Sequence, residues 1–223
     1  MKNSAPTKQE LEEVTRGLVE NALHWLGRAI DSFTSRDGDQ EFDLTLLYSA
    51  ISFEGFAKSL VIHLQWEQAF SSVNKADFEK LKSGEAHTVT IPDARKRLRE
   101  IIKIDCTKEL ARFERLIGHR NKIVHFYHPD LDSVATRRQI ATEMLQGWSG
   151  LLELKKKPAF VALFEEFENE FRGIEREFLQ LDSYVKEKPE PDDIPDEDRH
   201  STAFLGCGQN DCRGSLGRAM ERD

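Results

Sequence analysis

The sequence predicts an all-α fold, an antiparallel bundle of about five or six helices. Three observations carry that expectation. Every long apolar segment recurs at steps of three and four residues, which marks one buried helical face. Charged residues make up 32% of the chain and hydrophobic ones 39%, with only 13 Gly and 7 Pro, the balance of a helix-rich soluble domain. The length of 223 residues suits one domain of about 150 to 190 residues with a tail better than two separate cores.

Taken in order, Thr7-Lys8-Gln9-Glu10 reads as a capping box that opens the first helix. Leu11, Val14, Leu18, Ala22, Leu26, Ala29 and Phe33 give it one apolar face to about Ser35, and Ser35-Arg36-Asp37-Gly38-Asp39 reads as a turn. The second helix, about Glu41 to Phe70, is the most apolar and is expected to be central, with Glu54 and Lys58 four apart on one side. Residues 71 to 91 look irregular, with a turn of helix near Ala76 to Leu81 and Gly84 as breaker. Thr90 and Pro92 open a third helix through Leu98, Ile101 and Ile102. Asp105-Cys106-Thr107 interrupts it and caps a fourth, in which Leu110, Phe113, Ile117 and Val124 share a face and Pro129 ends the helix after His128.

A fifth helix runs from Ser133 to about Lys155. Beyond Lys157-Pro158, Phe160, Phe164, Phe167, Phe171, Ile174, Phe178 and Leu181 step by four and three over three heptads. Phe fits a broad bundle core better than a narrow two-stranded seam, although the seam also offers an interface. The domain is therefore expected over residues 8–185. Lys186 to His200 holds seven acids, three bases and three prolines, the composition of a disordered linker, so 186–223 is expected to be a disordered acidic tail. Within it Cys207, Cys212 and His200 could supply three ligands to zinc. The C-x4-C spacing is unusual and no fourth ligand follows, so neither metal nor other cofactor is expected.

Cys106, Cys207 and Cys212 make an odd count that builds no disulfide framework and fits a reducing compartment. The first residues lack the apolar stretch of a signal peptide, and no apolar run approaches the roughly 18 residues of a membrane span. A cytoplasmic protein without membrane contact is the expectation.

Charge is unevenly distributed. The chain carries -8 overall, but from Pro92 to His128 there are ten Lys or Arg against five Asp or Glu. That local +5 leaves -13 for the rest, so one basic segment could attract a polyanion while the remainder keeps the protein soluble.

At the end of that segment lies Gly118-His119-Arg120-Asn121-Lys122-Ile123-Val124-His125-Phe126-Tyr127-His128. It resembles the signature of the HEPN family (higher eukaryotes and prokaryotes nucleotide-binding), an Arg followed after four to six residues by a His, with a polar residue beside the Arg. Arg112 to His119 fits the bare spacing too. Context favours Arg120: Arg-Asn, then Ile-Val, then His and an aromatic residue, late in an all-α chain whose second helix carries Glu54 and Lys58. The resemblance spans roughly residues 10 to 185 and implies a ribonuclease whose two motifs face each other across a homodimer cleft.

The residue types suit that chemistry. On a helix, Asn121 and His125 share a face and Arg120 lies about 100° round from Asn121. Arg presents a planar fork matched to a phosphate at any working pH. A His can take a proton from a ribose 2′-OH or give one to a leaving 5′-oxygen, and Asn can hold the phosphate or orient the imidazole. Arg120, Asn121 and His125 are thus the candidate catalytic residues, with His119, Lys122, Tyr127 and His128 as RNA contacts and Glu54 and Lys58 in support. RNA, a second copy of the chain and an antitoxin or other regulatory protein are the expected partners. The competing reading makes Arg120 a structural partner of Glu54 and the domain a non-catalytic module that binds nucleotide, RNA or protein. P-loop, Rossmann, zincin, α/β-hydrolase and di-iron signatures are all missing from the sequence.

Overall fold

Capping sets where the helices begin. In the computed structural model, which describes residues 5–34, 39–125 and 133–187, the Thr7 backbone N–H donates to Glu10 Oε2 (2.9 Å) and the Glu10 N–H donates to Thr7 Oγ1 (3.2 Å). This reciprocal pair starts α1, Lys8–Thr34, and α2 follows as Asp39–Gln65. Two 3-10 turns, Trp66–Ala69 and Val73–Lys75, lead to the short α3, Phe78–Ser83. Gly84 ends α3 at φ 79°, a left-handed conformation that glycine adopts without strain.

The Thr90 hydroxyl accepts from the Asp93 N–H and caps α4, Ile91–Arg97. A π-helical turn, Leu98–Ile102, continues it and stops at Lys103, whose φ of 67° takes the chain out of the helix. Asp105 then accepts from the Thr107 N–H (2.9 Å) to start α5, Thr107–His125. The remaining elements are α6, Val134–Lys155; α7, Val161–Phe164; a 3-10 turn, Glu165–Phe167; and α8, Glu168–Glu187. Among the described residues there is no strand, only an isolated antiparallel bridge between Phe70 and Thr88. The all-α bundle expected from periodicity is what forms, with five long helices (α1, α2, α5, α6, α8) and three short ones among the described residues.

Directions follow from the contacts. Trp25 meets Tyr48 and Ala22 meets Gly55, so α1 and α2 are an antiparallel hairpin. Arg112, Arg115 and His119 meet Glu153, Gln146 and Glu143 in that order, so α5 and α6 are antiparallel as well. The core is aromatic: Phe53 stacks on Phe113 at 4.2 Å between centroids, Trp148 meets Phe33 edge to face, and Phe56 meets both Phe164 and Phe171.

Helix α2 is the centre of this packing, and by length and mean hydropathy it could cross a membrane. Two thirds of the relevant window (67%) is buried inside the bundle, which is where a core helix puts such a sequence. Between Phe42 and Ile62 only Asp43, Leu44, Leu47, Tyr48, Ile51, Glu54, Gly55 and Lys58 reach solvent. At 100° per residue these positions form one strip about 140° wide, and the candidate site lies along it.

Several sequence expectations change. Helix α2 ends at Gln65 rather than Phe70, and the Phe seam is not one helix: Phe160 precedes α7, and a 3-10 turn separates α7 from α8. Phe160, Phe164, Phe167, Phe171 and Ile174 are buried in the chain's own core, while Phe178 is half-buried and the Leu181 side chain lies outside the described residues. Ile101 and Val124, expected on buried faces, are 50% and 52% exposed. The turn over 35–39 falls largely outside the described residues. So do Pro129 and the tail from 188 onward, with Cys207, Cys212 and His200.

Candidate functional site

Helix α5 rests on α2 and α6 through Leu110, Phe113 and Leu116, all fully buried. Continuing the helix from these anchors turns Arg120 toward α2. Its Nη1 donates to Asn121 Oδ1 (2.9 Å), and its Nη2 lies 3.6 Å from Glu54 Oε2, with side-chain exposures of 21% and 33%. A contact between Arg120 and Glu54 is the one that the competing, structural reading of the sequence named. Arg120 Nε is buried and makes no hydrogen bond, so the guanidinium holds one full hydrogen bond and one long ion pair for its five donors.

Arg97 shows the contrast. Its fork donates to the backbone carbonyls of Gln68 (2.7 Å), Phe70 and Ser71 (3.1 Å). Three of its five donors are thus spent on backbone carbonyls, tying α4 to the turn after α2. At Arg120 the buried Nε is out of reach of a ligand, so it is the Nη groups, beside Asn121 and Glu54, that could meet a phosphate.

Other basic residues of the segment are less available than their number implied. Arg95 pairs with Glu114 (3.0 Å), Arg99 with Glu100 (2.8 Å) and Arg112 with Glu153 (3.1 Å), while Arg115 donates to Gln146 (2.9 Å). Two of the neutralising acids, Glu54 and Glu153, lie outside the segment, so the linear +5 overstates the local field. Lys96, Lys103, Lys108 and Lys122 are exposed, and of these only Lys122 belongs to the motif.

The remaining candidates separate. Asn121 and His125 are exposed, one turn apart at the end of α5. Among the described residues His125 makes no side-chain hydrogen bond or ion pair, so its imidazole is accessible. His119 points the other way: its Nε2 lies 3.0 Å from Glu143 Oε2 on α6, both side chains being mostly buried at 15% and 13% exposure, and Gln139 donates to the second oxygen of Glu143 (3.1 Å). That pair locks α5 to α6 instead of presenting His119 beside Asn121. Lys58 is half-buried one turn beyond Glu54, with no ion pair between the two. Tyr127 and His128 lie outside the described residues.

Among the described residues of the motif, Asn121, Lys122, Val124 and His125 are exposed and Arg120 is half-buried. A cleft of about 420 Å³ elsewhere is lined by Glu12, Glu13, Arg16, His63, Leu163 and Glu166 among others. His63 is nine residues beyond Glu54, half a turn round α2, so that cleft faces away from Arg120. Burial holds the His63 imidazole below its ordinary range, with Glu12 pulling weakly the other way. Cys106 is buried, and burial pushes its thiol up to about 12, which leaves it an inert core residue. Among the described residues no group of three His, Cys, Asp or Glu side chains converges to hold a metal.

Sequence reasoning missed three neighbours of the motif. Leu47 and Ile51 are half-exposed on the same strip as Glu54, and Val124 is exposed beside Asn121 on α5. The signal was present in their helical angles: Leu47, Ile51 and Glu54 step by four and three. Apolar residues on a central helix read as core until the partners of that helix are known. No known protein family, curated protein or solved structure matches the chain.

Proposed function

We propose that the chain is a metal-independent endoribonuclease of HEPN type, a cytoplasmic toxin or phage-defence effector acting on cellular RNA. The observation that supports this most is the unsaturated Arg120, held between Asn121 and Glu54 on a solvent-facing strip, with an accessible imidazole at His125 one turn further along α5. In the reaction the ribose 2′-oxygen forms a bond to the adjacent phosphorus while its proton passes to a neutral imidazole. Arg120 neutralises the phosphorane, and the P–O5′ bond breaks as the 5′-oxygen takes a proton from an imidazolium. The products are a 2′,3′-cyclic phosphate and a 5′-OH.

One α5 supplies one accessible His, so the acid and the base come from His125 of two copies. Leu47, Ile51 and Val124, apolar and partly exposed around Arg120, are suited to seat the second copy. An antitoxin or regulator would act by covering the same strip.

A second reading draws on Glu54. A carboxylate 3.6 Å from the guanidinium competes with a phosphate for it, as expected of a module that binds nucleotide, RNA or protein without cutting. Purified protein incubated with total RNA in EDTA separates the two. Cleavage with cyclic ends, lost in His125→Ala, supports the ribonuclease; RNA retained intact on the protein supports the binding module.

A further inference from the structure

The aromatic cluster on the α1–α2 hairpin lies outside the motif, at the edge of the core against which Tyr48 packs. Trp25 is half-buried, off the buried stripe of Val19, Ala22, Leu26, Ala29 and Phe33. Its ring sits 5.2 Å from the half-exposed Tyr48 ring and 5.5 Å from exposed His24, and the Arg28 guanidinium lies over Tyr48 at 5.8 Å. Tyr48 belongs to the same solvent-facing strip of α2 as Glu54. The step of six residues from one to the other corresponds to about 9 Å along the helix. Tyr48 leans to the α1 side of the strip, beside Trp25, and Glu54 to the α5 side, beside Arg120.

We propose that Trp25, Tyr48 and Arg28 form a base-stacking platform for single-stranded RNA next to the Arg120 phosphate site; this rests on the ribonuclease reading and names where its substrate binds. Isolated surface aromatics are ordinary. Two adjacent rings with a guanidinium over one of them are a different feature: they offer π-faces that accept any base, and a cation for the backbone phosphate beside it. Position supplies the occupant, because a strand whose phosphate reaches Arg120 crosses the α2 strip, and its neighbouring bases meet Tyr48 and Trp25. Leu47 lies toward the α5 side and Ile51 midway between Tyr48 and Glu54, so the seat of the second copy and the RNA path adjoin at Ile51.

The test measures binding without cleavage. A fluorescein-labelled single-stranded 2′-O-methyl RNA of ten nucleotides lacks the attacking hydroxyl, and its affinity for the full chain is read by anisotropy. Trp25→Ala and Tyr48→Ala are expected to weaken binding by about five- to a hundredfold each, the range for loss of one stacked base. Trp25→Phe and Tyr48→Phe, which keep a ring, should bind within about twofold of the wild type if stacking carries the affinity. Arg28→Ala, at an exposed site, should weaken binding and lower the slope of log K against log salt by about one.

Wild-type affinity in both alanine variants overturns the proposal, as does wild-type protein that fails to bind the oligomer. Equal losses in the Phe variants overturn it too. A shift of the monomer–dimer equilibrium in Trp25→Ala that alone explains the lost binding assigns the cluster to a second copy and overturns it. RNA bound through Trp25 but never cut retires the ribonuclease and keeps the platform; RNA cut by a protein whose Trp25→Ala form binds normally does the reverse.

Discussion

Arg120 and Arg97 carry the same charge in the same basic segment, yet Arg97 makes three bonds to backbone carbonyls and Arg120 one, to the Asn121 side chain. That difference decides what each substitution should do. Glu54 keeps 33% of its side-chain surface in water, so Arg120→Ala strands no buried carboxylate and should cost about 1 kcal/mol of stability, the range of a solvated ion pair. Its cleavage rate should nevertheless fall about a hundredfold or more, as should that of His125→Ala, the usual loss for a proton-transfer group. Single-turnover rates and melting temperatures on the same variants check this; a fully active, strongly destabilised Arg120→Ala would make the arginine structural. His63 gives a second residue-scale prediction. Burial depresses its folded value below the ordinary 6.5, so its stabilising contribution is complete above about 6.5 and is lost as pH falls through the depressed value. Urea titrations from pH 7.5 to 5 should show a steeper loss of stability for wild type than for His63→Gln, and parallel curves would contradict it. The sequence identified Arg120, Asn121, His125 and Glu54 as one constellation. It gave no sign that His119 would be drawn to Glu143, because that partner is 24 residues away on another helix.

At the scale of elements, helix starts were the most legible feature, since a capping box is local and Thr7–Glu10 and Thr90–Asp93 both form. Helix ends and breaks were not. The π turn at Leu98–Ile102 and the 3-10 turn at Glu165–Phe167 lie within ordinary helical periodicity. Glycines show how packing, not propensity, sets the cost of change. A Cβ at Gly147 would meet the Phe53 ring at 2.7 Å and Leu116 at 3.0 Å, whereas one at Gly118 meets nothing. Phe53 is itself pinned against Phe113, so Gly147→Ala should lose about 1–3 kcal/mol. Gly118→Ala should gain about 0.5–1 kcal/mol from helix propensity. Denaturant midpoints of the two variants should move in opposite directions, and a neutral Gly147→Ala would show the α2–α5–α6 contact to be looser than described. Phe171→Ala should cost about 3–5 kcal/mol without changing association, because Phe171 is fully buried.

For the molecule as a whole, the all-α class could be read from periodicity, but its electrostatics could not. The local +5 already subtracts Glu114 and Glu100, the partners of Arg95 and Arg99, but not Glu153, whose pairing with Arg112 spans two helices and is invisible to any linear window. The surviving prediction is about association. If Leu47, Ile51 and Val124 seat a second copy around the motif, light scattering should give twice 25.7 kDa. Ile51→Glu should then yield a folded monomer that no longer cleaves. The measurement closest to the central claim is simpler: full-length protein and total RNA in excess EDTA, with the 3′ ends of any fragments identified chemically. Cleavage leaving 2′,3′-cyclic phosphates and 5′-hydroxyls, abolished in His125→Ala and in Arg120→Ala, is the expected result. Intact RNA, or cleavage that persists undiminished in both variants, would contradict the assignment of this site.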